Sequence, residues 1–177
     1  MIRTILMSLL FMVAAMTSAN AQQSATTPAA KVYDENINQM EQLDQALSKA
    51  SSEGKYVISQ VGGNWCPWCL RFAKFITDDA DIASVISQNF VYIHTNYPRR
   101  GGGNSDPSRT EVLKNTLKRL GSPERFGFPV FVVLDATGKV LHIQDSSYLE
   151  EGQGYDKEKV LRFFNNWTPK AVTGTKE

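Results

Sequence analysis

The 177-residue sequence contains only two cysteines and two histidines, and its formal net charge is +1. Two cysteines are too few for a scaffold held together by disulfides. With 19 basic and 18 acidic residues, the chain lacks the broad positive field that nucleic-acid-binding proteins usually carry. It also lacks an apolar run of the roughly 20 residues that a membrane-spanning helix requires. We therefore expect no nucleic-acid partner and no membrane-spanning segment.

The first 21 residues have the three parts of a secretory signal. Arg3 supplies a positive charge, residues 5–15 are apolar, and Ala19 and Ala21 are the small residues of a cleavage site. The apolar stretch is too short for a retained anchor. We predict cleavage after Ala21, no stable membrane insertion afterwards, and a periplasmic or secreted location.

Composition places the rest of the chain among ordinary globular proteins. Hydrophobic residues make up 42% of the sequence and charged residues 21%, which excludes intrinsic disorder and low-complexity structure. We predict one domain over residues 34–170, with a flexible leader at 22–33 and a disordered tail at 171–177. An insert at about 97–127 lengthens one connection, and we expect its loop to border the functional site.

Apolar periodicity predicts alternating helices and strands. Apolar residues spaced three and four apart predict a first helix that is capped by Asp34 and stops at Gly54. The later predictions are a strand at 56–61, a helix from 67, a short helix before a strand at 90–94, a helix at 108–120, strands at 130–135 and 140–144, and a helix after Asp156. A helix joins the first two strands, which should therefore run parallel, whereas the last two form a hairpin. This order predicts an α/β protein with a mixed central sheet and helices on both faces.

Both cysteines lie in one motif, Trp65-Cys66-Pro67-Trp68-Cys69, which follows a predicted buried strand and opens a helix. Two thiols separated by two residues at a helix start can close a disulfide across one turn. Free backbone N–H groups and the positive end of the helix dipole stabilise a thiolate at Cys66 and lower its pKa. Cys69 lies one turn further inside and should keep an ordinary or raised pKa. The motif therefore favours attack on a substrate disulfide by Cys66 and resolution of the mixed disulfide by Cys69.

Three other interpretations of the pair compete with redox chemistry. A structural disulfide more often joins distant segments, because closing a short loop removes little entropy from the unfolded chain. A zinc site would need two further ligands, and only His94 and His142 are available. Both histidines lie in predicted strands, where an outward-facing, solvated side chain is expected. Inert buried thiols would not explain the strand–turn–helix setting, so redox chemistry is favoured and no metal site is predicted.

The segment from Val57 to Ile76, with the two cysteines at its centre, resembles the active-site segment of the thioredoxin superfamily. Phe128-Pro129 before the third strand matches the cis-proline element of that family. The likeness covers roughly residues 34–167 and is strongest to exported bacterial thioredoxin-like proteins, similar to the C-terminal domain of the periplasmic reductant DsbD. It implies a three-layer thioredoxin-like fold, with helices on both faces of a mixed sheet of four to five strands.

The resemblance also implies a role for each matching residue. Cys66 would be the nucleophile and Cys69 the resolving thiol. Pro129 would follow a cis bond and face the disulfide, while the Phe128 backbone would pair with an extended substrate. The implied substrate-binding residues are Trp65, Pro67, Trp68, Phe128 and Pro129.

The tryptophans and the residues between the cysteines refine this expectation. Trp65 should form a flat apolar wall beside Cys66, and Trp68 should point outward to contact a partner, with ordinary packing as the alternative for both. Pro67-Trp68 contains no histidine to stabilise the thiolate, unlike the corresponding dipeptide of strongly oxidising exported relatives. A reductant or isomerase is therefore favoured over an oxidant.

One position departs from the family pattern. Thioredoxin has a buried acid six residues before its first active cysteine, and this acid helps to remove the proton of the resolving thiol. The corresponding residue here is Gln60, which cannot accept a proton. Deprotonation of Cys69 must then depend on water, on another side chain or on the substrate thiolate.

The favoured function is an exported thiol–disulfide oxidoreductase. Its partners would be protein or small-molecule disulfides and thiols, with an upstream electron donor of unknown identity, and its chemistry requires no cofactor. One alternative is a binding module or chaperone that holds thiol-bearing clients with little redox activity. Another is a metal carrier that uses both thiols as soft ligands, although no methionine or histidine lies beside them.

Overall fold

The computed structural model describes residues 31–99 and 106–174. The predicted signal peptide at 1–21, most of the predicted leader and residues 100–105 of the predicted insert lie outside this range, as do residues 175–177. Within the described part of the chain, no helix has the length and apolarity needed to cross a membrane.

Helices and strands alternate in the order that the sequence predicts. The larger elements are α1 Gln39–Glu53, β1 Tyr56–Gly62, α2 Pro67–Asp78, α3 Ala80–Asn89, β2 Phe90–Asn96, α4 Pro107–Arg119, β3 Val130–Leu134, β4 Val140–Asp145 and α5 Lys157–Asn166. Short elements complete the described chain: 3-10 helices Pro123–Phe126 and Ser146–Leu149, a hairpin of β5 Glu150–Glu151 and β6 Gly154–Tyr155, and α6 Pro169–Thr173.

The central sheet has four strands in the order β2-β1-β3-β4. β1 runs parallel to β2 and antiparallel to β3, and β3 pairs antiparallel with β4. The predicted parallel pair, hairpin and mixed sheet are therefore confirmed.

Side chains of the two inner strands alternate between two hydrophobic cores. On one face, Ile58 and Phe131 pack with apolar residues of α2, α3 and α5. On the other face, Val57 and Val132 pack with residues of α1 and α4. Since successive strand residues point to opposite faces, the inner strands hold helices on both sides. This arrangement confirms the three-layer α/β fold.

The first helix begins later than predicted. Asn38 caps it, because the Asn38 side chain accepts hydrogen bonds from the backbone N–H groups of Met40 and Glu41. The carboxylate of Asp34, the predicted cap, instead accepts from the backbone N–H of Asn36 and closes a turn before the helix. Gly54 ends the helix as predicted, with a positive φ of 65° that glycine adopts at little cost.

Parts of the predicted leader and tail have a defined structure. Tyr33, at the end of the predicted leader, is fully buried. Residues 171–173, predicted as tail, belong to the short helix α6. Residues 150–155, for which the sequence predicts no element, form the hairpin β5–β6, whose Tyr155 is buried against Phe72. Tyr33 and Tyr155 pack against residues far away in the chain, so local composition did not reveal their burial.

Candidate active site

Cys66 and Cys69 lie where β1 gives way to α2, and they form a disulfide with their Cα atoms 5.2 Å apart. Cys66 is the N-cap of α2, and the backbone N–H of Cys69 donates a hydrogen bond to the Cys66 sulfur over 3.2 Å. Pro67 occupies the first helical position, where its missing N–H leaves no hydrogen bond unmade. This amide and the helix dipole favour a thiolate at Cys66 once the pair is reduced.

The register of the sheet brings the Phe128–Pro129 segment to this site. The antiparallel pairing of β1 with β3 ends at Val61 and Val130, so the residues after Val61 and before Val130 meet at one edge. The Phe128–Pro129 peptide bond is cis, as the resemblance implied. The carbonyl oxygen of Phe128 lies 3.7 Å from the Cys66 sulfur. The backbone before β3 therefore borders the sulfur expected to react first.

Trp65 forms part of an aromatic surface beside the disulfide. Its indole N–H donates to the carbonyl oxygen of Tyr97 over 2.7 Å, and its ring meets that of Phe128 edge-on at 5.5 Å. Tyr97, the first residue of the predicted insert, also packs against Phe128 with ring centroids 4.7 Å apart. A cavity of about 450 Å³ adjoins this surface and is lined by Trp65, Tyr97, Arg99, Glu124 and Phe128. Because Trp65 stays 38% exposed, the surface is open to an approaching molecule.

Trp68 does not simply point outward, which corrects the prediction for this residue. It is half-buried, and its ring meets the Tyr155 ring edge-on at 5.5 Å. The Tyr155 hydroxyl donates to the Trp68 carbonyl oxygen over 3.1 Å, and the Arg71 guanidinium lies 4.6 Å above the Trp68 ring. The hairpin β5–β6, which the sequence did not predict, supplies this packing partner.

A buried polar network lies behind Cys69. The Gln60 amide nitrogen donates to the Cys69 carbonyl oxygen over 3.0 Å and to the Tyr33 hydroxyl over 2.6 Å. The Gln60 amide oxygen accepts from the Tyr92 hydroxyl over 2.7 Å. Tyr33 is the contributor that sequence reasoning missed, since it lies 27 positions before Gln60 and carries no local motif.

His94 adjoins this network and is not the solvated side chain that its strand position suggested. Its ring meets Tyr33 edge-on at 5.2 Å and Tyr92 at 5.3 Å. Its Nε2 atom is buried and makes no hydrogen bond with a described residue. Burial lowers the pKa of His94 to about 4. His142 is also half-buried, and its ring stacks on Trp167 with centroids 4.5 Å apart.

We expect His94 to make stability fall as the medium becomes acidic. Its pKa is about 4 in the folded protein and about 6.5 in an unfolded chain, so the unfolded state binds more protons between these values. The free energy of unfolding should fall by about 2 kcal/mol between about pH 7 and pH 5 from this residue alone. Urea unfolding at several pH values measures the loss. In His94→Leu the curve should be flatter by that amount, and an equal loss in both proteins would contradict the assignment.

Sequence comparison relates the chain to one family of domains. A family model described as a thioredoxin-like domain matches residues 43–151, which include both cysteines and the Phe128–Pro129 segment. A curated relative is the thiol:disulfide interchange protein DsbD of Pseudoalteromonas atlantica, which is 23% identical over 108 residues. That match covers 59% of this chain but only 16% of the relative.

Comparison with solved structures agrees with the family match at the level of the fold. The crystal structure of a disulphide isomerase from Xylella fastidiosa Temecula1 superimposes with a TM-score of 0.62 at 20% identity. The match covers 76% of this chain and 94% of that structure. At this identity, the likeness shows a shared fold.

Proposed function

The chain belongs to the thioredoxin-like domain family, and from this premise we propose that it is a thiol–disulfide oxidoreductase that acts as an exported disulfide reductase or isomerase. The observation that carries the proposal is the Cys66–Cys69 disulfide, which lies at the N-terminus of α2 and against the segment that precedes β3. The site combines a stabilised sulfur with an open neighbouring surface, which are the features that disulfide exchange requires.

The proposed reaction in the reducing direction has two steps. The Cys66 thiolate attacks one sulfur of the substrate disulfide, so that a Cys66–substrate disulfide forms and the other substrate sulfur leaves as a thiolate. The Cys69 thiolate then attacks the Cys66 sulfur, which forms the Cys66–Cys69 disulfide and releases the second substrate thiolate. Two electrons pass from the pair to the substrate, and the leaving thiolates take up the protons that the two cysteines lose.

Burial supports this order of events. Cys66 is 4% exposed and adjoins the aromatic surface of Trp65 and Phe128, whereas Cys69 is completely buried. A substrate disulfide can therefore approach Cys66 but not Cys69. In the proposal, Cys66 is the nucleophile and Cys69 is the resolving thiol.

The proposed substrate-binding residues surround this approach. An extended substrate segment would lie along the Phe128–Pro129 backbone, which pairs with no strand in the described part of the chain. Trp65 would contact the residues next to the substrate cysteine. Pro67 is exposed at the mouth of the site, and Trp68, which packs against Tyr155, remains partly exposed.

The proposed location and partners follow from the signal-like start of the sequence and from the relatives. We place the mature protein in the periplasm or outside the cell, where protein and small-molecule disulfides occur. Repeated turnover as a reductant needs an upstream electron donor, because each cycle leaves the pair oxidised. The curated relative is named as a thiol:disulfide interchange protein, which agrees with such a relay.

Equilibration of the purified protein with glutathione buffers tests the direction of the reaction. Since Pro67-Trp68 provides no histidine to stabilise the Cys66 thiolate, we expect a reduction potential between about −270 and −180 mV, the range from thioredoxin to protein disulfide isomerase. A value near −120 mV, at the oxidising end, would overturn the reductant or isomerase assignment.

A further inference from the structure

Tyr33 is held directly behind the disulfide by contacts that the proposed mechanism does not use. Its side chain is completely buried and packs in one cluster with Cys66 and Cys69. Asn64, in the turn before α2, fixes the Tyr33 backbone. The Asn64 amide oxygen accepts from the backbone N–H groups of Val32 and Tyr33, both over 3.1 Å, and its amide nitrogen donates to the Tyr33 carbonyl oxygen over 2.8 Å.

The position of Gly62 shows how near the Tyr33 hydroxyl is to the buried sulfur. A Cβ atom placed on Gly62 would lie 2.5 Å from the Cys69 sulfur and 2.8 Å from the Tyr33 hydroxyl oxygen. The sulfur and the hydroxyl therefore flank the same point beside the Gly62 backbone. Only a residue without a side chain leaves room there for both groups.

The hydrogen-bond directions leave the Tyr33 hydroxyl with a hydrogen to donate. The Cys69 carbonyl oxygen only accepts, so the amide nitrogen of Gln60 must face it. The same nitrogen donates to the Tyr33 oxygen, which is therefore the acceptor in that bond. Among residues 31–99 and 106–174, no group accepts a hydrogen bond from the Tyr33 hydroxyl in the oxidised protein.

The groups around Tyr33 favour a role for its hydroxyl as a hydrogen-bond donor and exclude a role as a general base. Burial raises the pKa of Tyr33 far above its ordinary value, so the hydroxyl remains protonated. The titratable groups near it are Tyr92, through Gln60, the edge of the His94 ring, and Tyr155, whose pKa burial also raises. His94, with a pKa of about 4, is neutral near pH 7, and burial also raises the pKa of Tyr92. The network thus offers hydrogen-bond donors to a thiolate and places no negative charge against it.

We propose that the Tyr33 hydroxyl donates a hydrogen bond to the Cys69 sulfur when that sulfur is a thiolate, and so prepares Cys69 to resolve the mixed disulfide. The inference rests on the proposed function. Tyr33 transfers no proton. The Cys69 proton goes to water or to the leaving substrate thiolate, the Cys66–Cys69 bond forms, and the Cys66–substrate bond breaks. A neutral phenol then partly replaces the acid found at the Gln60 position in thioredoxin, by stabilising the thiolate without removing its proton.

A single-turnover reaction with 5,5′-dithiobis(2-nitrobenzoate) separates the two steps. Attack by Cys66 on this aryl disulfide releases one coloured thiolate, and resolution by Cys69 releases the second. In Tyr33→Phe, which keeps the ring but removes the hydroxyl, the first release should be unchanged. The second should be about tenfold slower near pH 7, and its pH profile should move upward by about one unit, because a hydrogen bond to a charged group is lost.

Tyr56→Phe is the matched control, because Tyr56 is a partly buried tyrosine at the opposite end of β1. Both releases should match the wild type in this variant. If the second release and its pH profile are the same in Tyr33→Phe as in the wild type, the role of Tyr33 is refuted while the proposed function stands. If the wild type releases neither thiolate, the proposed function fails instead.

A measurement on the unaltered protein covers the case in which Tyr33→Phe does not fold. With tyrosines labelled with ¹³C at the ring carbon that bears the hydroxyl, the Tyr33 resonance of the reduced protein should shift as the pH is raised and the Cys69 thiol ionises. The Tyr56 resonance should not shift. An unchanged Tyr33 resonance would contradict the hydrogen bond.

Discussion

Replacing Cys69 with alanine is expected to turn the protein into a covalent trap. Cys66 can still attack a substrate disulfide, but no second thiol remains to release the mixed disulfide. Turnover in an insulin-reduction assay should fall by at least about 100-fold. On non-reducing gels, adducts with protein disulfides should accumulate and disappear when a reductant is added.

The Cys66→Ala variant is the matched control, because it removes the proposed nucleophile and retains Cys69, which is completely buried. It should form no adducts with the same substrates. This pair of variants also distinguishes the enzyme from a binding module that only holds thiol-bearing clients. Adduct formation in neither variant, or equally in both, would favour the binding module and contradict the roles proposed for Cys66 and Cys69.

Adding one methyl group at Gly62 is expected to overpack the interior of the site and to lower the stability of the protein. In Gly62→Ala the new carbon would lie 2.5 Å from the Cys69 sulfur and 2.8 Å from the Tyr33 hydroxyl oxygen, closer than van der Waals contact permits. Overpacking of this kind costs about 1–3 kcal/mol. Urea unfolding of the oxidised protein should show a loss in that range.

Gly154→Ala provides the comparison, because a methyl group there would meet only one backbone oxygen, at 4.0 Å, and the glycine needs no positive φ. Its stability should stay within about 0.5 kcal/mol of the wild type. Equal stability of the two variants would show that the site relaxes around the Gly62 methyl group, and the close approach of Tyr33 to Cys69 would then lose its support.

The two sulfurs of the disulfide have different surroundings, which the cysteine and glycine variants test separately. Cys66 adjoins an open aromatic surface, while Cys69 is enclosed by Tyr33, Gly62 and the Gln60 network. In the proposed mechanism, the open surface beside Cys66 lets a substrate approach, and the enclosure of Cys69 keeps the resolving step within the protein. The cysteine variants test substrate access to Cys66, and the glycine variants test how closely the side chains pack around Cys69.

Much of the fold could be predicted because its signals are local. The apolar spacing that predicts α1, the glycine that ends it and the strand–turn–helix setting of the cysteines all act within a few residues. The start of α1 was misplaced because Asp34 and Asn38 are both good capping residues. Only the observed hydrogen bonds show that Asp34 closes a turn and Asn38 caps the helix.

Side-chain surroundings were harder to predict, because they depend on contacts between distant segments. Trp68 looked exposed from its place between the cysteines, yet the hairpin that carries Tyr155 returns to cover one side of it. His94 looked solvated from its place in a strand, yet the rings of Tyr33 and Tyr92 enclose it. Tyr92 is only two positions from His94 on β2, but Tyr33 and Tyr155 lie too far along the chain from His94 and Trp68 for a sequence pattern to indicate these contacts.

By itself, the sequence determined the order of the elements and the strand–turn–helix setting of the cysteine pair, since these depend on short-range spacing and on residue type. The tertiary structure decided which groups surround each sulfur. Tyr33 and Gln60 meet across 27 positions, and Cys66 and Phe128 across 62, because the packed sheet and the turn before α2 bring them together. The surroundings of the two sulfurs depend on these long-range contacts, which short-range spacing along the chain does not specify.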